Sequence, residues 1–436
     1  MHRVTPPIAN TTRWRLSTQS PAALLTVAWL AFLLAGCQIP PPVAPPEESV
    51  PATVAAPLPD ASPIAEVRTV ESRPIEGRNP INTRGWKTDF TKRTIDLTEI
   101  ISGGPPKDGI PSLDAPRFEP IATAADWLTD TDPVIVYEHG GQARAYPLAV
   151  LIWHEIVNDE IAGRPVTVTF CPLCNASVVF DRRVGDMVLD FGTTGSLRHS
   201  DLVMYDRQTE TWWQQFTGAA LIGELASTQL TFLPSQVLGF GRFRELFPEG
   251  EVLQRPLDQF SRNYGMNPYV NYDTYGNGLS RNENLVLFTG EPDPRLKPLD
   301  RVVGVLFPDH SSVAIPFDLA RARIVVHYDP PNGDPGIVVF FEEGMSSSLS
   351  EAEIGTARDI GSVGVFSRVL DGRHLEFDVA DDGTVRDAQT GSTWNIRGEA
   401  TAGELQGSAL EPQVAFDHFW FAWAEFLPDT ELVAVD

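Results

Sequence analysis

The feature that most constrains the fold of this chain is a similarity between two distant stretches of its own sequence. Asp206-Arg207-Gln208-Thr209 and Asp387-Ala388-Gln389-Thr390 begin these stretches, and Trp213 and Trp394 follow at the same distance. Matches that keep one order along a chain are typical of repeated units. The sequence therefore predicts two related modules, at 83–290 and 291–436. The further matches are Gly223-Glu224-Leu225 with Gly403-Glu404-Leu405, Glu245 and Pro248 with Glu425 and Pro428, and Ala145-Tyr146-Pro147-Leu148 with Ala314-Ile315-Pro316-Phe317.

Each module is predicted to be α+β, with strands dominant. Apolar residues at helical spacing predict helices at Pro147–Asn158 and Ser235–Phe247. Between 254 and 282, Asn, Gly and Pro are too frequent for a regular element, so we expect a long loop, and such loops often carry function. β-branched or alternating runs predict strands at Val134–Glu138, Val166–Phe170, Ser177–Asp181 and Met187–Phe191.

The N-terminus has the pattern of a bacterial lipoprotein signal peptide. Residues 1–36 carry three arginines and no acidic residue, and the apolar run Pro21–Gly36 is short for a membrane span. Leu34-Ala35-Gly36-Cys37 matches a lipobox, in which small residues precede the cysteine that receives the lipid. We therefore predict a signal peptide at 1–36 and lipidation of Cys37. The alternative is an uncleaved anchor with an incidental cysteine.

The residues after Cys37 predict a tether and a location. Residues 37–82 are rich in Pro and Ala, a composition that favours extended, disordered chain over a packed core. Several acyl chains on one cysteine hold a protein firmly on a membrane. Gln38 is not the aspartate that retains many lipoproteins in the inner membrane. We expect the outer membrane if the cell is Gram-negative, and otherwise the outer face of the cell membrane.

Charge and cysteine count exclude several classes of protein. The formal net charge is −25, which disfavours nucleic acid as a partner and makes a polybasic membrane contact improbable. The lipid on Cys37 must then do the anchoring. Of the three cysteines, only Cys171 and Cys174 remain. A scaffold held by several disulfides is thereby excluded.

The sharpest chemical motif is Cys171-Pro172-Leu173-Cys174-Asn175, which stands between two predicted strands. A tight turn with this spacing aims two thiolates at one point, and metal knuckles place a residue that tolerates positive φ, such as Asn175, after the second cysteine. A stable site needs one or two further ligands. His154 and His199 are the candidates for zinc or copper, and Met204 would suit copper(I).

Two other interpretations of this motif stay open. In thioredoxin-like redox sites the first cysteine begins a helix, which lowers its pKa. Here β-branched residues follow the motif, so a redox pair would need a different geometry. The third interpretation is a disulfide between Cys171 and Cys174, although closing so small a loop adds little stability.

His154-Glu155, with Asn158-Asp159 four residues further on, forms a second constellation. Positions four apart share one face of a helix. Beside a metal, His154 could serve as a ligand and Glu155 as the general base. The alternative is an ordinary helix end, with a packed histidine and solvated acids.

The second module lacks this chemistry. Phe341-Glu342-Glu343-Gly344 matches the place of Cys171–Cys174, and its helix region has no histidine at the matching place. We therefore predict chemistry in the first module only. Arg207, Arg262 and Tyr264 do not recur either, and we expect them to line the site. Asp206, Thr209 and Trp213 do recur, which predicts a local turn and a core tryptophan instead.

Six motifs along the chain, the cysteine motif among them, resemble those of a prokaryotic, mostly exported family called domain of unknown function 3179. The resemblance implies a shared fold and a shared site around the cysteine motif, and it implies no activity. The family often has Asn where this chain has His199, which weakens His199 as a ligand. The motifs that carry the resemblance are Asp108-Gly109-Ile110-Pro111, Ala145-Tyr146-Pro147, His154-Glu155, Thr169-Phe170-Cys171-Pro172-Leu173-Cys174, Phe191-Gly192 and Ser200-Asp201-Leu202-Val203-Met204-Tyr205-Asp206.

Three functions are compatible with the sequence. The first is an extracytoplasmic lipoprotein with a zinc or copper site in its first module, used for metal handling or metal-assisted chemistry. The second is a thiol–disulfide redox protein that uses Cys171 and Cys174. The third is a non-catalytic scaffold of the cell envelope.

Overall fold

The computed structural model describes residues 81–274, 285–333 and 335–434. The predicted signal peptide at 1–36, Cys37 and nearly all of the predicted tether lie outside the described residues. Within the part described, no helix has the length and apolar character needed to cross a bilayer. We call residues 81–274 the N-terminal half and residues 285–434 the C-terminal half.

The N-terminal half is built mainly of strands, as the sequence predicts. Its elements are β1 (Ile100–Ser102), β2 (Phe118–Pro120), α1 (Ile121–Ala124), β3 (Pro133–His139), β4 (Gln142–Pro147), α2 (Leu148–His154), β5 (Ile156–Ile161), β6 (Arg164–Cys171), β7 (Ala176–Asp181), β8 (Arg183–Val184), β9 (Met187–Val188), β10 (Phe191–Arg198), β11 (Asp201–Asp206), β12 (Trp212–Gln214), β13 (Ala220–Ile222), β14 (Phe232–Leu233), β15 (Gln236–Gly239), α3 (Phe240–Leu246) and β16 (Glu251–Leu253).

The C-terminal half has the same character. Its elements are β17 (Arg301–Leu306), β18 (Ser312–Pro316), α4 (Phe317–Arg323), β19 (Val325–Tyr328), β20 (Ile337–Glu342), β21 (Ser362–Ser367), β22 (Val369–Leu370), β23 (Arg373–His374), β24 (Phe377–Val379), β25 (Val385–Asp387), β26 (Thr393–Trp394), β27 (Ala400–Ala402), β28 (Ala415–Phe419), α5 (Trp420–Phe426) and β29 (Glu431–Leu432).

Three larger sheets and the two-stranded pair β8-β9 form the described N-terminal half, and the two-stranded pair β22-β23 belongs to the C-terminal half. The strand orders of the three larger sheets are β15-β3-β4-β16-β2, β14-β7-β6-β5 and β1-β10-β11-β12-β13. Neighbouring strands run antiparallel, except that β4 and β16 are parallel. The helix α2 connects the first sheet to the second, so that the end of α2 lies beside β6.

The C-terminal half uses matching strand orders. They are β28-β17-β18-β29, β19-β20-β21 and β24-β25-β26-β27. Here too one pair is parallel, between β18 and β29, which correspond to β4 and β16 in order of appearance. The helices that precede β5 and β19 both follow a proline and both end at a left-handed residue, Glu155 with φ 58° and Ile324 with φ 62°.

Two polar turns also have identical bonding. The Asp206 carboxylate accepts hydrogen bonds from the Thr209 backbone N–H and from the Trp213 indole N–H at 2.9 Å. Asp387 accepts the same two bonds from Thr390 and Trp394, the latter at 3.0 Å. The predicted turn and core tryptophan are thus present in each half.

The structure corrects both predicted helices. The helix expected at Pro147–Asn158 ends at His154, because Glu155 turns left-handed and the β-branched residues after it pair with β6 as β5. In the region predicted as Ser235–Phe247, residues Gln236–Gly239 form β15 against β3, and the helix begins only at Phe240. Local apolar spacing does not distinguish these strands from helices.

Three of the four predicted strands are confirmed. Val134–Glu138, Val166–Phe170 and Ser177–Asp181 lie within β3, β6 and β7. The strand predicted at Met187–Phe191 is wrong in part, because Leu189 and Asp190 separate β9 from β10.

The main cluster of buried apolar side chains runs through both halves. Trp213, Trp420 and Trp423 are among its largest fully buried members. His418 is enclosed with them: its ring centroid lies 4.2 Å from that of Phe216 and 5.4 Å from that of Trp423. Neither ring nitrogen of His418 has a hydrogen-bond partner within the described residues. Burial lowers the pKa of His418 to about 3, so this histidine is held neutral.

We predict that His418 makes stability fall with acid. The unfolded chain protonates this residue near its usual pKa of 6.5, whereas the folded chain resists protonation down to about 3. Stability is therefore complete above pH 6.5 and declines below it. Between pH 7.5 and 5 the decline from His418 alone should be about 2 kcal/mol. Urea unfolding at the two pH values measures it.

The variant His418→Leu should remove this part of the pH dependence. The exposed residue His374 provides the control, since His374→Leu should leave the pH dependence close to that of the unmodified protein. Equal slopes for the unmodified protein and His418→Leu would contradict the prediction.

Candidate functional site

The cysteine motif forms a tight turn between β6 and β7. Cys171 is the last residue of β6 and pairs with Ala176, the first residue of β7. The Asn175 backbone N–H donates to the Pro172 carbonyl at 3.3 Å, and Asn175 has φ 51°. The positive φ expected of the residue after the second cysteine is therefore confirmed. The turn places both sulfurs at the same end of the β6–β7 pair.

The C-terminal half supports this turn from behind. The Phe419 backbone N–H donates to the Cys174 carbonyl at 3.0 Å. The side-chain amide of Asn175 donates to the Asp417 carbonyl at 3.4 Å. The last long strand of the chain, β28, thus fixes two successive residues of the turn.

Asp201 completes a cluster with the two cysteines. The sulfurs of Cys171 and Cys174 and a carboxylate oxygen of Asp201 all lie within 4.8 Å of one another. All three side chains are buried. The Cys171 thiol also lies 3.7 Å from the Ser200 carbonyl, to which it donates. Two thiols and a carboxylate at this spacing could hold a metal ion.

Asp201 carries an incompletely satisfied carboxylate. One oxygen accepts hydrogen bonds from the Gln214 side chain at 2.5 Å and the Phe216 backbone at 2.9 Å. The other oxygen is buried, and the neighbouring thiols of Cys171 and Cys174 are the donors that remain for it among the described residues. Burial raises the pKa of Asp201 to about 7. A free acceptor in such a place is energetically costly unless a donor or a cation meets it.

The two thiols are not activated in this arrangement. Burial raises the pKa of Cys171, and it raises the pKa of Cys174 still further together with the neighbouring Cys171 and Asp201. Nucleophilic redox cysteines show the opposite shift, toward a low pKa in an electropositive setting. A bound cation would reverse the effect, because it stabilises the thiolates directly.

Glu155 lies beside this cluster. Its backbone carbonyl accepts a hydrogen bond from the Phe170 N–H at 2.8 Å, so it neighbours the end of β6. Its side chain is only 7% exposed and takes part in no hydrogen bond within the described residues. Burial, followed by the nearby charge of Asp201, raises the pKa of Glu155 to about 8. Four acidic groups therefore share one water-poor region, with no cation among the side chains of the cluster.

His154 points elsewhere. Its Nδ1 lies 2.8 Å from the Pro111 carbonyl, to which it donates, and its Nε2 accepts from the Tyr264 hydroxyl at 2.8 Å. Burial lowers the pKa of His154 to about 4, which keeps the ring neutral. Both ring nitrogens are thus occupied, and the structure does not bring His154 into the group of Cys171 and Cys174.

The expected helical face is also absent. Asn158 and Asp159 lie on β5 and not on a helix with His154 and Glu155. Asn158 bonds Asp114 and the Phe191 backbone, and Asp159 bonds Arg144. Neither residue joins the cysteine cluster.

His199 and Met204 are placed apart from the sulfurs. His199 Nδ1 lies 3.0 Å from a Glu425 carboxylate oxygen, and its Nε2 lies 3.7 Å from Glu99. Met204 is buried in the core on β11, where it pairs with Trp213. The structure therefore groups neither side chain with the cysteines.

The structure describes the long loop predicted at 254–282 as far as residue 274. Tyrosines of this loop cover the site. Tyr264 bonds His154, and the Tyr272 hydroxyl donates to the Leu173 carbonyl at 2.9 Å. Tyr269 lies near Glu155 and Cys171, which act on its pKa after the larger effect of burial. Arg262 is exposed and lies close enough to lower the pKa of His154. Tyr264 and Arg262 thus lie beside His154.

Arg207 belongs to a separate polar network. Its guanidinium lies 3.2 Å from Asp108, 2.8 Å from Ser112 and 3.1 Å from Asp114. It also donates to the Tyr205 hydroxyl at 2.9 Å. This network holds the segment before α1 against β11.

Asp201, Tyr269 and Tyr272 are site residues that the sequence did not indicate. Asp201 follows two residues with positive φ, His199 and Ser200, in the turn between β10 and β11. In the sequence Asp201 belongs to the motif Ser200–Asp206, but no feature of that motif identifies it as a ligand.

The fold and this cluster define a strand-dominated protein with a buried dithiol–carboxylate site. Residues 107–430 match the model of a family described as "Protein of unknown function (DUF3179)", and the chain belongs to this family. The resemblance seen in the sequence is thereby confirmed. No curated protein and no solved structure matches the chain.

We predict that the left-handed conformation of Asn175 has a measurable effect on the free energy of unfolding. Asn175→Ala should be less stable than Asn175→Gly by about 1 kcal/mol, because Cβ is unfavourable at positive φ. Both variants lose the bond to Asp417, so that loss cancels in the comparison. Urea unfolding of the metal-free protein provides the measurement.

The same pair of substitutions at Asp186 is the control. Asp186 is an exposed turn residue outside the left-handed region. There the alanine variant should be at least as stable as the glycine variant. If Asn175→Ala also proved as stable as Asn175→Gly, the assigned turn conformation would be wrong.

Proposed function

We propose that the chain binds one transition-metal ion, zinc or copper, through Cys171, Cys174 and Asp201. The observation that supports this proposal is the meeting of three buried ligand atoms within 4.8 Å. Thiolates suit both metals, whereas a carboxylate ligand favours zinc over copper(I). Three protein ligands leave a fourth position of tetrahedral zinc open, as in catalytic zinc sites.

We further propose that Glu155 is the general base of metal-assisted chemistry at this site. A bound metal would lower the pKa of a water molecule and, by its charge, would also favour the ionised form of Glu155, which could then accept the proton. Glu155 is buried beside Cys171, and its side chain takes part in no hydrogen bond within the described residues. In this proposal the bond between His154 and Tyr264 attaches the covering loop, and His154 is not a metal ligand. His199 is not among the proposed ligands either.

We infer that the two halves are copies of one module, of which only the first kept the site. The Phe341 N–H donates to the Ile324 carbonyl just as the Phe170 N–H donates to that of Glu155. By this register Ile324 stands in the place of Glu155, and Glu342 in the place of Cys171. The match of Phe341–Gly344 with Cys171–Cys174 made from sequence is therefore displaced by one residue.

The elements that carry the other two ligands also differ between the halves. The turn that carries Cys174 joins Cys171 to Ala176, whereas in the C-terminal half the connection runs from Glu342 to Ser362. The hairpin that carries Asp201 is longer than its counterpart formed by β24 and β25. Each proposed ligand thus lies where the halves depart from each other.

We propose that the metal is acquired outside the cytoplasm by a lipoprotein anchored through Cys37. The mature chain would remain at the membrane through its acyl chains, without contacts to nucleic acid. The redox function is the second candidate, since two sulfurs this close could also form a disulfide. The raised pKa values of both thiols argue against a nucleophilic redox role.

We predict that the purified protein holds one zinc ion per chain. Cys174→Ser and Asp201→Asn should each weaken zinc binding at least about 100-fold, because each removes one of three ligands. Affinity should also fall as pH is lowered, since binding displaces thiol protons. Elemental analysis and competition with a chromogenic chelator measure stoichiometry and affinity.

His199→Gln is the matched control, because it alters a half-buried histidine outside the cluster. It should change zinc affinity less than about threefold. A metal-free protein whose Cys171 and Cys174 are oxidised to a disulfide would refute the metal site and support the redox function.

The anchor is tested separately. In the bacterial cell Cys37→Ser should abolish acylation and release the protein from the membrane fraction, because the acyl chains supply the attachment. Cys171→Ser removes a different cysteine and should leave the protein in that fraction. Immunoblots of the fractions and the intact mass of the mature protein give the readout. Membrane retention of Cys37→Ser would exclude the proposed anchor.

A further inference from the structure

A cavity lies between the two halves, and none of the proposed metal ligands lines it. Its volume is about 420 Å³, within the range of small-molecule sites. Its walls come from β3, β7 and β15 of the N-terminal half and from β17, β21 and β28 of the C-terminal half. The second cavity described has only about 30 Å³.

The cavity is apolar on its inner wall. Val136, Val237, Val303, Val363 and Phe416 line it. Val237 is only half-buried, although its neighbour Leu238 on β15 is completely buried. β15 is the edge strand of its sheet, and the half-buried Val237 borders the open space of the cavity.

The charged side chains of the lining are mostly acidic. Glu138, Glu399 and Asp417 stand against the single guanidinium of Arg397. His139 adds no positive charge near neutral pH, because burial and then the charges of Arg164 and Arg183 lower its pKa.

Arg397 and Gln236 are the lining side chains that stand beside these carboxylates or beside Val237, and their donors are already engaged. Arg397 donates to Glu138 at 2.6 Å and to Glu399 at 2.5 Å. Its guanidinium also lies 4.4 Å from the centroid of the Phe247 ring. The amide nitrogen of Gln236 donates to the carbonyls of Val363 and Ile396. The carboxylate oxygens and the Gln236 amide oxygen are acceptors that this part of the lining offers a ligand.

We propose that this cavity binds a small apolar molecule that carries an ammonium group. The apolar part would occupy the space beside Val237, and the ammonium would donate to the carboxylates of Glu138 and Glu399. An anionic ligand of the same shape would meet the acidic side chains Glu138 and Glu399, so charge complementarity favours the cation. The site is independent of the metal proposed above.

Three probes of nearly equal shape test the charge. Calorimetry should detect binding of 2-phenylethylamine to the purified protein. 2-Phenylethanol, which is neutral, should bind about tenfold more weakly, a difference of about 1.4 kcal/mol. Phenylacetate, which is anionic, should not bind measurably. Equal affinities for the amine and the alcohol, a preference for phenylacetate, or no binding of the amine at 10 mM (roughly 100-fold above the expected dissociation constant) would each overturn the proposal.

Variants test the location. Val237→Phe should fill the cavity and weaken binding of 2-phenylethylamine at least about tenfold. Val379→Phe, the same substitution at an exposed valine outside the cavity, should not alter it. Glu399→Gln should weaken the amine and leave the alcohol unchanged. Thermal unfolding identifies folded variants. An unchanged affinity of folded Val237→Phe, or equal effects of Glu399→Gln on both probes, would overturn the proposal.

Discussion

The antiparallel pairing of β6 with β5 on one side and β7 on the other is the interaction on which the candidate site depends. It ends with Glu155 beside Phe170 and with Cys171 opposite Ala176. Gln215 extends this order to the third sheet, since its side chain donates to Thr169 at 2.8 Å and to the Ala176 carbonyl at 3.0 Å. Its backbone N–H donates to the Leu202 carbonyl, next to Asp201. One hydrogen-bonded frame thus fixes both sulfurs and both carboxylates.

Much of this frame can be predicted from the sequence, because its signals are local. β-branched runs identify β3, β6 and β7, and the residue types of the cysteine motif predict a tight turn with Asn175 at positive φ. The predicted helices are too long where apolar spacing fits a helix but a partner strand is available. At Ile156 and Val157 the partner is β6, and at Val237 it is β3.

The composition of the site could not be predicted in the same way. The sequence suggests His154 as a ligand because it precedes the cysteine motif. Its two ring nitrogens, however, are hydrogen-bonded to the Pro111 carbonyl and the Tyr264 hydroxyl, which lie far from it in sequence. Asp201 is brought to the sulfurs by the turn between β10 and β11, which no local pattern indicates. Whether a carboxylate is free or bonded depends on such long-range contacts, and one sequence does not display them.

The bonds from β28 to the cysteine turn have a consequence for the history of the chain. The half without cysteines donates a backbone hydrogen bond to Cys174 and accepts another from Asn175. A descendant that lost this half would leave two polar groups of the turn unpaired beside the buried sulfurs. Selection that preserves the turn therefore also preserves the half that supports it, although that half contains no cysteine.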